Sequence, residues 1–380
     1  MSWWKLLTEY LDLYVVEWLR GMPSPTMAVW VALWLGVAIA FVLWKSYHNY
    51  RKLAELPAAP DGFEPDVTVV IPARNEAGNI AEAVRCFPPQ RVIVVDDDSF
   101  DQTAELARAA GATVIAAPPL KKNHVGKPNA CWAGARQVHT RWILFVDADT
   151  RYRPGAVPAL VHYAETHHLD GVSMFLRQER VTTPERMILP YAFALYFCGV
   201  NSRLLNRTRG SDTLANGQCF LVRREAYEQA GGHGAVSESV IEDVALARAL
   251  KFQGRRLRVV RGEHLGSVRM YDSFQAIWRG LQKKSFRFLL ISPWTGFQVV
   301  LSSILLTAWL PVLIWLLVSK QWLAALLFAL LPAFTMRRWY GGLREALLAP
   351  PAIYVFQAIA LCGLYHTSFG GTTEWKGRPV

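Results

Sequence analysis

Two hydrophobic patterns share this chain. From Asp66 onward, short β-branched apolar runs alternate with stretches of helical character, and uncharged runs of membrane length lie on both sides. Val67–Ile71, Val92–Val95, Thr113–Ala116 and Trp142–Val146 predict buried strands; Ala77–Phe87, Thr103–Ala110 and Pro128–Val138 predict the helices between them. Alternation of this kind implies an α/β fold, with a mostly parallel sheet covered by helices on both faces. Ligands of such sheets bind beyond the carboxyl ends of the strands.

The flanking runs set the domain organisation. Residues 1–26 mix Trp, Leu and Val with Lys5, Glu9, Asp12, Glu17 and Arg20, which suits a helix lying in a membrane interface. Met27 to Trp44 is uncharged and spans roughly 27 Å as a helix, close to one bilayer core. No basic stretch closely precedes it and no small-residue cleavage site follows, so it reads as a retained anchor. Residues 45–65 read as a basic linker, 66–273 as a cytoplasmic catalytic domain and 274–297 as an amphipathic interfacial helix. Residues 298–370 hold three further apolar runs, Val299–Val318, Trp322–Met336 and Ala346–Phe369, and 371–380 form a tail.

Composition supports a membrane setting. Hydrophobic residues make up 52% and charged residues 19%, and many of the 15 Trp stand at the ends of apolar runs. The net charge of +11 would suit nucleic acid, but Lys45, Arg51 and Lys52, then Arg279, Lys283, Lys284 and Arg287, cluster beside the apolar runs. That placement favours a cytoplasmic, anionic lipid face and no nucleic-acid partner. The expected location is a cell membrane crossed several times. The five cysteines are scattered without a C-x-x-C pair, which excludes a zinc site of that kind and a disulfide framework.

Three acidic clusters carry the chemistry. Asp96-Asp97-Asp98 and Asp147-Ala148-Asp149 each end an apolar strand, and Glu242-Asp243 opens a helix-like stretch. Carboxylates at the ends of buried strands are costly unless a cation holds them. If the D-x-D segment is extended, Asp147 and Asp149 point the same way and can face one hard cation, Mg²⁺ or Mn²⁺, with diphosphate oxygens completing its shell. Asp97 is placed to accept a hydrogen bond from a uracil N–H. Asp101 and Thr103 read as caps of the following helix.

Four motifs in order, VVIPARNE, VVDDDSFDQT, FVDADT and VIEDVALA, make residues 66–290 resemble the family-2 glycosyltransferases, inverting enzymes of GT-A fold. The resemblance implies a Rossmann-like mixed sheet that binds a nucleotide-sugar, with UDP as the expected nucleotide. By position, Pro72, Ala73, Arg74, Glu76, Asp96 and Asp97 would contact the nucleoside, and Asp147 the ribose and metal. Asp149 would bind the metal and diphosphate, and Lys127 the nucleotide. Gln218, in Asn216-Gly217-Gln218-Cys219, would line the sugar pocket. Asp243 would be the general base beside Glu242, and Arg269, Arg279 or Lys283 would neutralise the leaving diphosphate. Gln275-Ala-Ile-Trp278-Arg279 departs from the Q-x-x-R-W of processive relatives and is similar to membrane glycosyltransferases of carotenoid, hopanoid and other lipids. The expected activity is transfer of one sugar to a lipid acceptor. The rivals are a processive polysaccharide synthase, a polyprenyl-phosphate glycosyltransferase and, remotely, a membrane-anchored receiver-like module.

Overall fold

The computed structural model describes residues 24–205, 213–284 and 293–368, with two short strands beyond. The expected helix over residues 1–26 lies outside them up to residue 23, as do 285–292 of the expected interfacial segment and most of the tail.

Helix α1 (Pro25–Arg51) starts on Ser24, whose hydroxyl accepts from the Met27 N–H, and Pro25 at its first position lacks the N–H that would need a partner. It runs seven residues beyond the expected anchor, so Lys45–Arg51 are helix rather than linker. No proline interrupts that stretch, and Ser46, Asn49 and Tyr50 bury against the catalytic region.

The chain then builds the expected sheet. It passes through β1 (Ala54–Glu55), β2 (Val67–Ala73), α2 (Ile80–Arg85), β3 (Val92–Asp96), α3 (Thr103–Ala109), β4 (Thr113–Ala116), α4 (Gly126–Ala135) and β5 (Trp142–Val146). The first reversal is β6 (Thr150–Tyr152). Next come α5 (Ala156–Thr166), β7 (Gly171–Phe175), β8 (Arg177–Gln178), α6 (Thr183–Gly199), α7 (Ser202–Leu205), β9 (Cys219–Arg223), α8 (Arg224–Gln229), α9 (Glu242–Phe252), β10 (Leu257–Arg261) and β11 (Gly266–Val268). Strand order in the main sheet is β1-β10-β7-β9-β5-β2-β3-β4. All neighbours are parallel except β9, which runs antiparallel between β5 and β7. A smaller sheet, β6-β11-β8, stands beside the carboxyl end of β5.

Every residue of β5 and β7 is buried, because both faces of the sheet are covered. Val69, Ile71, Val94 and Leu144 pack into one core, and Val70, Val95, Ile143 and Phe145 into the opposite one. This is the period-two alternation of a strand divided between two apolar layers. Fully burying each such side chain contributes about 1.5–3 kcal/mol. Gly134 of α4 brings that helix against β2 and β3: a Cβ there would stand 2.5 Å from Val70 and 2.8 Å from Val95.

The remaining helices form an apolar bundle: α10 (Phe274–Lys284), α11 (Pro293–Thr307), α12 (Trp309–Val318), α13 (Trp322–Tyr340), α14 (Leu343–Ala346) and α15 (Ala349–Ser368). Two stretches among the described residues, Pro25–Arg51 and Trp294–Val318, are long and apolar enough to cross a membrane, with mean hydropathy 2.3 and 2.2. The bundle includes an element from the catalytic region. Helix α6 buries Ile188, Tyr191, Ala194 and Leu195 among α1, α11, α13 and α15. The expected unit 66–273 therefore sends one helix into the bundle, because Met187–Val200 carries no charged side chain.

Candidate active site

The site forms at the carboxyl ends of β2, β3 and β5, where the loops cross-link one another. Arg74, just past β2, is buried and donates through Nη1 to the carbonyl oxygens of Asp97 and Asp98. Asn75 donates its backbone N–H to Ser99 Oγ at 3.0 Å and accepts from Phe100 N–H at 3.1 Å. Asn75 and Asp98 both have left-handed backbone, with φ 53° and 59°, which Asn and Asp tolerate better than other side chains. Glu76 takes part through its backbone N–H, which donates to Thr103 Oγ1, and its carboxylate, which accepts from Asn79. Asp101 accepts from the N–H groups of Ala77 and Thr103, but the helix cap is Gln102, so Asp101 ties the loop to the helix start from one residue before the cap. Thr103 sits inside the helix, not at its cap. Pro72 and Ala73 end β2, and the Ala73 carbonyl accepts from Asp97 N–H at 2.8 Å. Asp96 closes β3 with Oδ1 buried and without a hydrogen-bond partner among the described residues.

Asp147 and Asp149 differ from the extended D-x-D segment expected. Ala148 and Asp149 form a tight turn in which Thr150 donates to the Asp147 carbonyl through both its N–H, at 3.2 Å, and its hydroxyl, at 2.6 Å. The turn arises because β6 folds back at Thr150 to pair with β11. Asp149 binds that neighbouring strand through its carbonyl, which accepts from Arg269 N–H at 3.4 Å.

Lys127 lies at the centre. It stands in the first turn of α4, and its ammonium is 2.6 Å from Asp147 Oδ1 and 2.8 Å from Glu242 Oε1. Burial pulls Lys127 towards its neutral form, but the two carboxylates outweigh this and hold its pKa well above the usual amine range. It therefore links the β5 turn to the start of α9. Asp243, one residue further, accepts from Gly217 N–H through Oδ2 at 2.7 Å and from its neighbour's N–H, Val244, through Oδ1 at 2.8 Å. Burial first, and the adjacent Glu242 carboxylate second, push Asp243 up to about 6, against the opposing pull of Lys127.

Gln218 adjoins this group through a polar chain. Its side-chain oxygen accepts from Asn216 and Gln178, and its carbonyl accepts from Tyr152 at 2.6 Å. His233 is a core residue. It is buried, its Nδ1 is 2.9 Å from the Tyr227 hydroxyl, and its ring packs edge-on to Phe145 at 4.6 Å. Burial and then the Lys127 charge lower its pKa to about 3, so it stays neutral.

Of the three basic candidates, Arg269 borders the D-x-D turn through its backbone, but its side chain is engaged elsewhere. Arg269 donates through Nε to the fully buried Glu185 at 3.1 Å. Arg279 is exposed on α10, and the Lys283 side chain falls outside the described residues. Gly217 lies in the Asn216-Gly217-Gln218-Cys219 motif already singled out, whereas Glu185 is a site-bordering residue that motif reading passed over. Glu185 had a local signal: Thr182-x-x-Glu185 is a capping box, present with both of its hydrogen bonds.

Asp147 and Asp149 supply hard oxygen donors of the kind Mg²⁺ and Mn²⁺ prefer. Among the described residues no group of three acidic, His or Cys side chains forms a complete metal cage. The donor set thus fits an ion that takes its remaining oxygens from a bound diphosphate and water.

Comparison with known proteins gives a family match, a curated relative and a solved structure of similar fold. Residues 68–231 match the family model described as Glycosyl transferase family 2. The chain is 30% identical over 227 residues to 4,4'-diaponeurosporenoate glycosyltransferase of Staphylococcus aureus, a match covering 57% of this chain and 60% of that relative's length. A solved mannosyltransferase from Pyrobaculum calidifontis, in complex with GDP-Man and Mn2+, superposes with a TM-score of 0.55 at 17% identity. It covers 90% of this chain and 99% of its own. At that identity the likeness establishes the shared GT-A architecture.

Proposed function

We propose, from the match of residues 68–231 to the model described as Glycosyl transferase family 2, that the chain moves one sugar from a nucleotide-sugar to a lipid acceptor at a membrane face. UDP is the nucleotide we favour, with Asp97 accepting from the uracil. The observation that supports the reading is the Lys127 bridge between Asp147 and Glu242, which ties the turn proposed for the diphosphate to the helix start that bears Asp243, the proposed base.

The chain's own groups divide the work as follows. Pro72, Ala73, Arg74, Glu76, Asp96 and Asp97 shape the nucleoside pocket at the ends of β2 and β3. Asp147 and Asp149 would hold Mg²⁺ or Mn²⁺, which supplies charge neutralisation on the diphosphate when bound. Gln218 borders the sugar. Asp243 takes the proton from the acceptor hydroxyl as that oxygen attacks the anomeric carbon from the side opposite the diphosphate. An acid whose pKa lies near 6 is ionised at neutral pH yet more basic than an ordinary aspartate, as this step requires. Glu242 and Lys127 hold the start of α9 and its base against the donor turn.

A membrane setting is supported by the exposed face of α1, which shows Trp30, Leu33, Trp34, Val37, Phe41 and Trp44, and by the apolar stretch Trp294–Val318. We infer that the bundle sits in the lipid of a bacterial cell membrane with the sheet on the cytoplasmic side. The name of the Staphylococcus aureus relative, a 4,4'-diaponeurosporenoate glycosyltransferase, supports an apolar acceptor. The test uses purified protein in lipid nanodiscs with radiolabelled nucleotide-sugar and a membrane lipid extract. Metal-dependent nucleotide release and an organic-extractable product are expected. Wild-type turnover surviving in both Asp149→Ala and Asp243→Ala would refute the assignment.

A further inference from the structure

Three side-chain amides form a chain between the small sheet and the loop that orients Asp243, and the backbone fixes which way each one points. Gln218 donates its backbone N–H to Asn216 Oδ1 at 3.2 Å, so Asn216 turns its Nδ2 to Gln218 Oε1, at 2.9 Å. Gln178 Nε2 donates to that same oxygen at 3.3 Å and to the Leu176 carbonyl at 3.4 Å. Two polar atoms are left over. Gln178 Oε1 is buried with no hydrogen-bond partner among the described residues. Gln218 is itself buried, and among the described residues its side chain is bonded through Oε1 alone, which leaves Nε2 to spare. The first atom is an acceptor and the second a donor. Buried polar groups are costly to leave unpaired, so the two mark a place where groups of a ligand complete the network.

The chain of amides stands between the D-x-D turn and Asp243. Gln178, Val268 and Thr150 are in register across β8, β11 and β6, so Gln178 lies two strand spacings, roughly 10 Å, from the end of the turn that bears Asp147 and Asp149. At the other end, Gly217 sits between Asn216 and Gln218 in sequence and donates to Asp243 Oδ2 at 2.7 Å. Tyr152 of β6 braces Gln218 by donating to its carbonyl at 2.6 Å, and Ser173 of β7 accepts from the Asn216 N–H at 2.7 Å. Two strands therefore hold the network in place. Gln178, Asn216 and Gly217 each keep part of their surface exposed, so the network opens to the outside.

We propose that Gln178 and Gln218 together read two hydroxyls of the donor sugar, Gln178 Oε1 accepting from one and Gln218 Nε2 donating to the other. The ligand is a nucleotide-linked hexose with free neighbouring hydroxyls. An apolar acceptor brings one reacting oxygen, and that oxygen is turned to Asp243. A hexose brings a row of hydroxyls, each both donor and acceptor, and so matches an unpaired acceptor beside an unpaired donor. A site built this way selects by rejecting a sugar that lacks one of the two hydroxyls, because the amide opposite is then left unpaired. The inference rests on the glycosyl-transfer reading above and adds Gln178, which no motif singled out, as a specificity residue.

Calorimetry on the purified full chain with Mn²⁺ tests it. UDP-glucose, UDP-galactose, UDP-N-acetylglucosamine and GDP-mannose identify the nucleotide-sugar that the wild type binds, and the matching free nucleotide gives the affinity without a sugar. Analogues of that nucleotide-sugar, each lacking one sugar hydroxyl, are then titrated into the wild type and into Gln178→Met. In the variant, affinity for the free nucleotide is expected to stay within about twofold while affinity for the nucleotide-sugar falls about tenfold. One analogue should bind the wild type about tenfold more weakly than the parent sugar and bind the variant as well as the parent does, since the hydroxyl and its partner are lost together only once. A wild type indifferent to every missing hydroxyl overturns the proposal even if the variant does not fold. Equal losses for nucleotide and nucleotide-sugar in Gln178→Met also overturn it, because they show a structural role. Unchanged donor affinity with a raised KM for the lipid acceptor assigns Gln178 to the acceptor instead. A wild type that binds none of the four nucleotide-sugars overturns the glycosyl-transfer reading as well.

Discussion

Gly217 and Asp243 are joined by a hydrogen bond from the glycine's backbone N–H to Oδ2 at 2.7 Å, so the loop before β9 orients the carboxylate at the start of α9. That loop passes so close that a Cβ at Gly217 would stand 2.9 Å from Lys127 Nζ and 3.4 Å from both Asp243 Oδ2 and Glu242 Oε1. Gly217→Ala is therefore expected to lower turnover by about tenfold or more through misalignment, with a stability loss of only about 1 kcal/mol because the flexible Lys127 tip can retreat. Steady-state rates beside urea melts check this; a stability loss large enough to explain the rate would count against it.

As the proposed base, Asp243 is expected to set the pH dependence. Its folded pKa of about 6 means that the base is lost on protonation, so turnover should rise through pH 6 and level off above it. Asp243→Asn should lower turnover by about 10²–10⁴-fold at pH 7.5 and remove the acid limb. The stability effect has the opposite sign. An aspartate raised from its unfolded value of about 4 stabilises the fold when protonated, and that contribution disappears as pH rises through the folded pKa. Thermal melts should show Asp243→Asn gaining on the wild type above pH 6 and losing the gain near pH 4.

Lys127 holds two carboxylates together, and its side chain is 24% exposed. Lys127→Met leaves Asp147 and Glu242 uncompensated. A stability loss of about 1–3 kcal/mol is expected, below the figure for a fully buried pair because water reaches this one. Nucleotide-sugar affinity should fall about tenfold in calorimetry, and unchanged affinity would remove Lys127 from the donor site.

Chelation should suppress turnover, and Mn²⁺ or Mg²⁺ should restore it. Asp149→Ala should show little response to either ion, since it removes one of the two oxygen donors on the β5–β6 turn. Activity indifferent to chelator in the wild type would disconnect the D-x-D turn from metal.

Arg269 is placed to stabilise α6 through Glu185. A double-mutant cycle on Glu185→Ala and Arg269→Ala should give a coupling of about 0.5–2 kcal/mol in urea melts. A tenfold loss of donor affinity in Arg269→Ala would instead assign it to the diphosphate.

The local record of this fold is strong. Strands β2 to β5 were legible because each is a short β-branched run between helical stretches, and Asp96 and Asp147 stood out as candidates because charges seldom end buried strands without a task. The apolar runs flanking the catalytic region were equally plain. Residues 183–199 carried a capping box and an uncharged run, yet reading them as part of a soluble unit hid their place in the bundle. Only the folded chain decided that Lys127 faces both Asp147 and Glu242, that the D-x-D segment is a turn closed by the pairing of β6 with β11, and that Gly217 donates to Asp243. Strand and helix periods arise from neighbours along the chain, whereas these contacts join residues tens to more than a hundred positions apart. They exist because β9 inserts antiparallel between β5 and β7, and so brings the loop of Gly217 against α4 and α9.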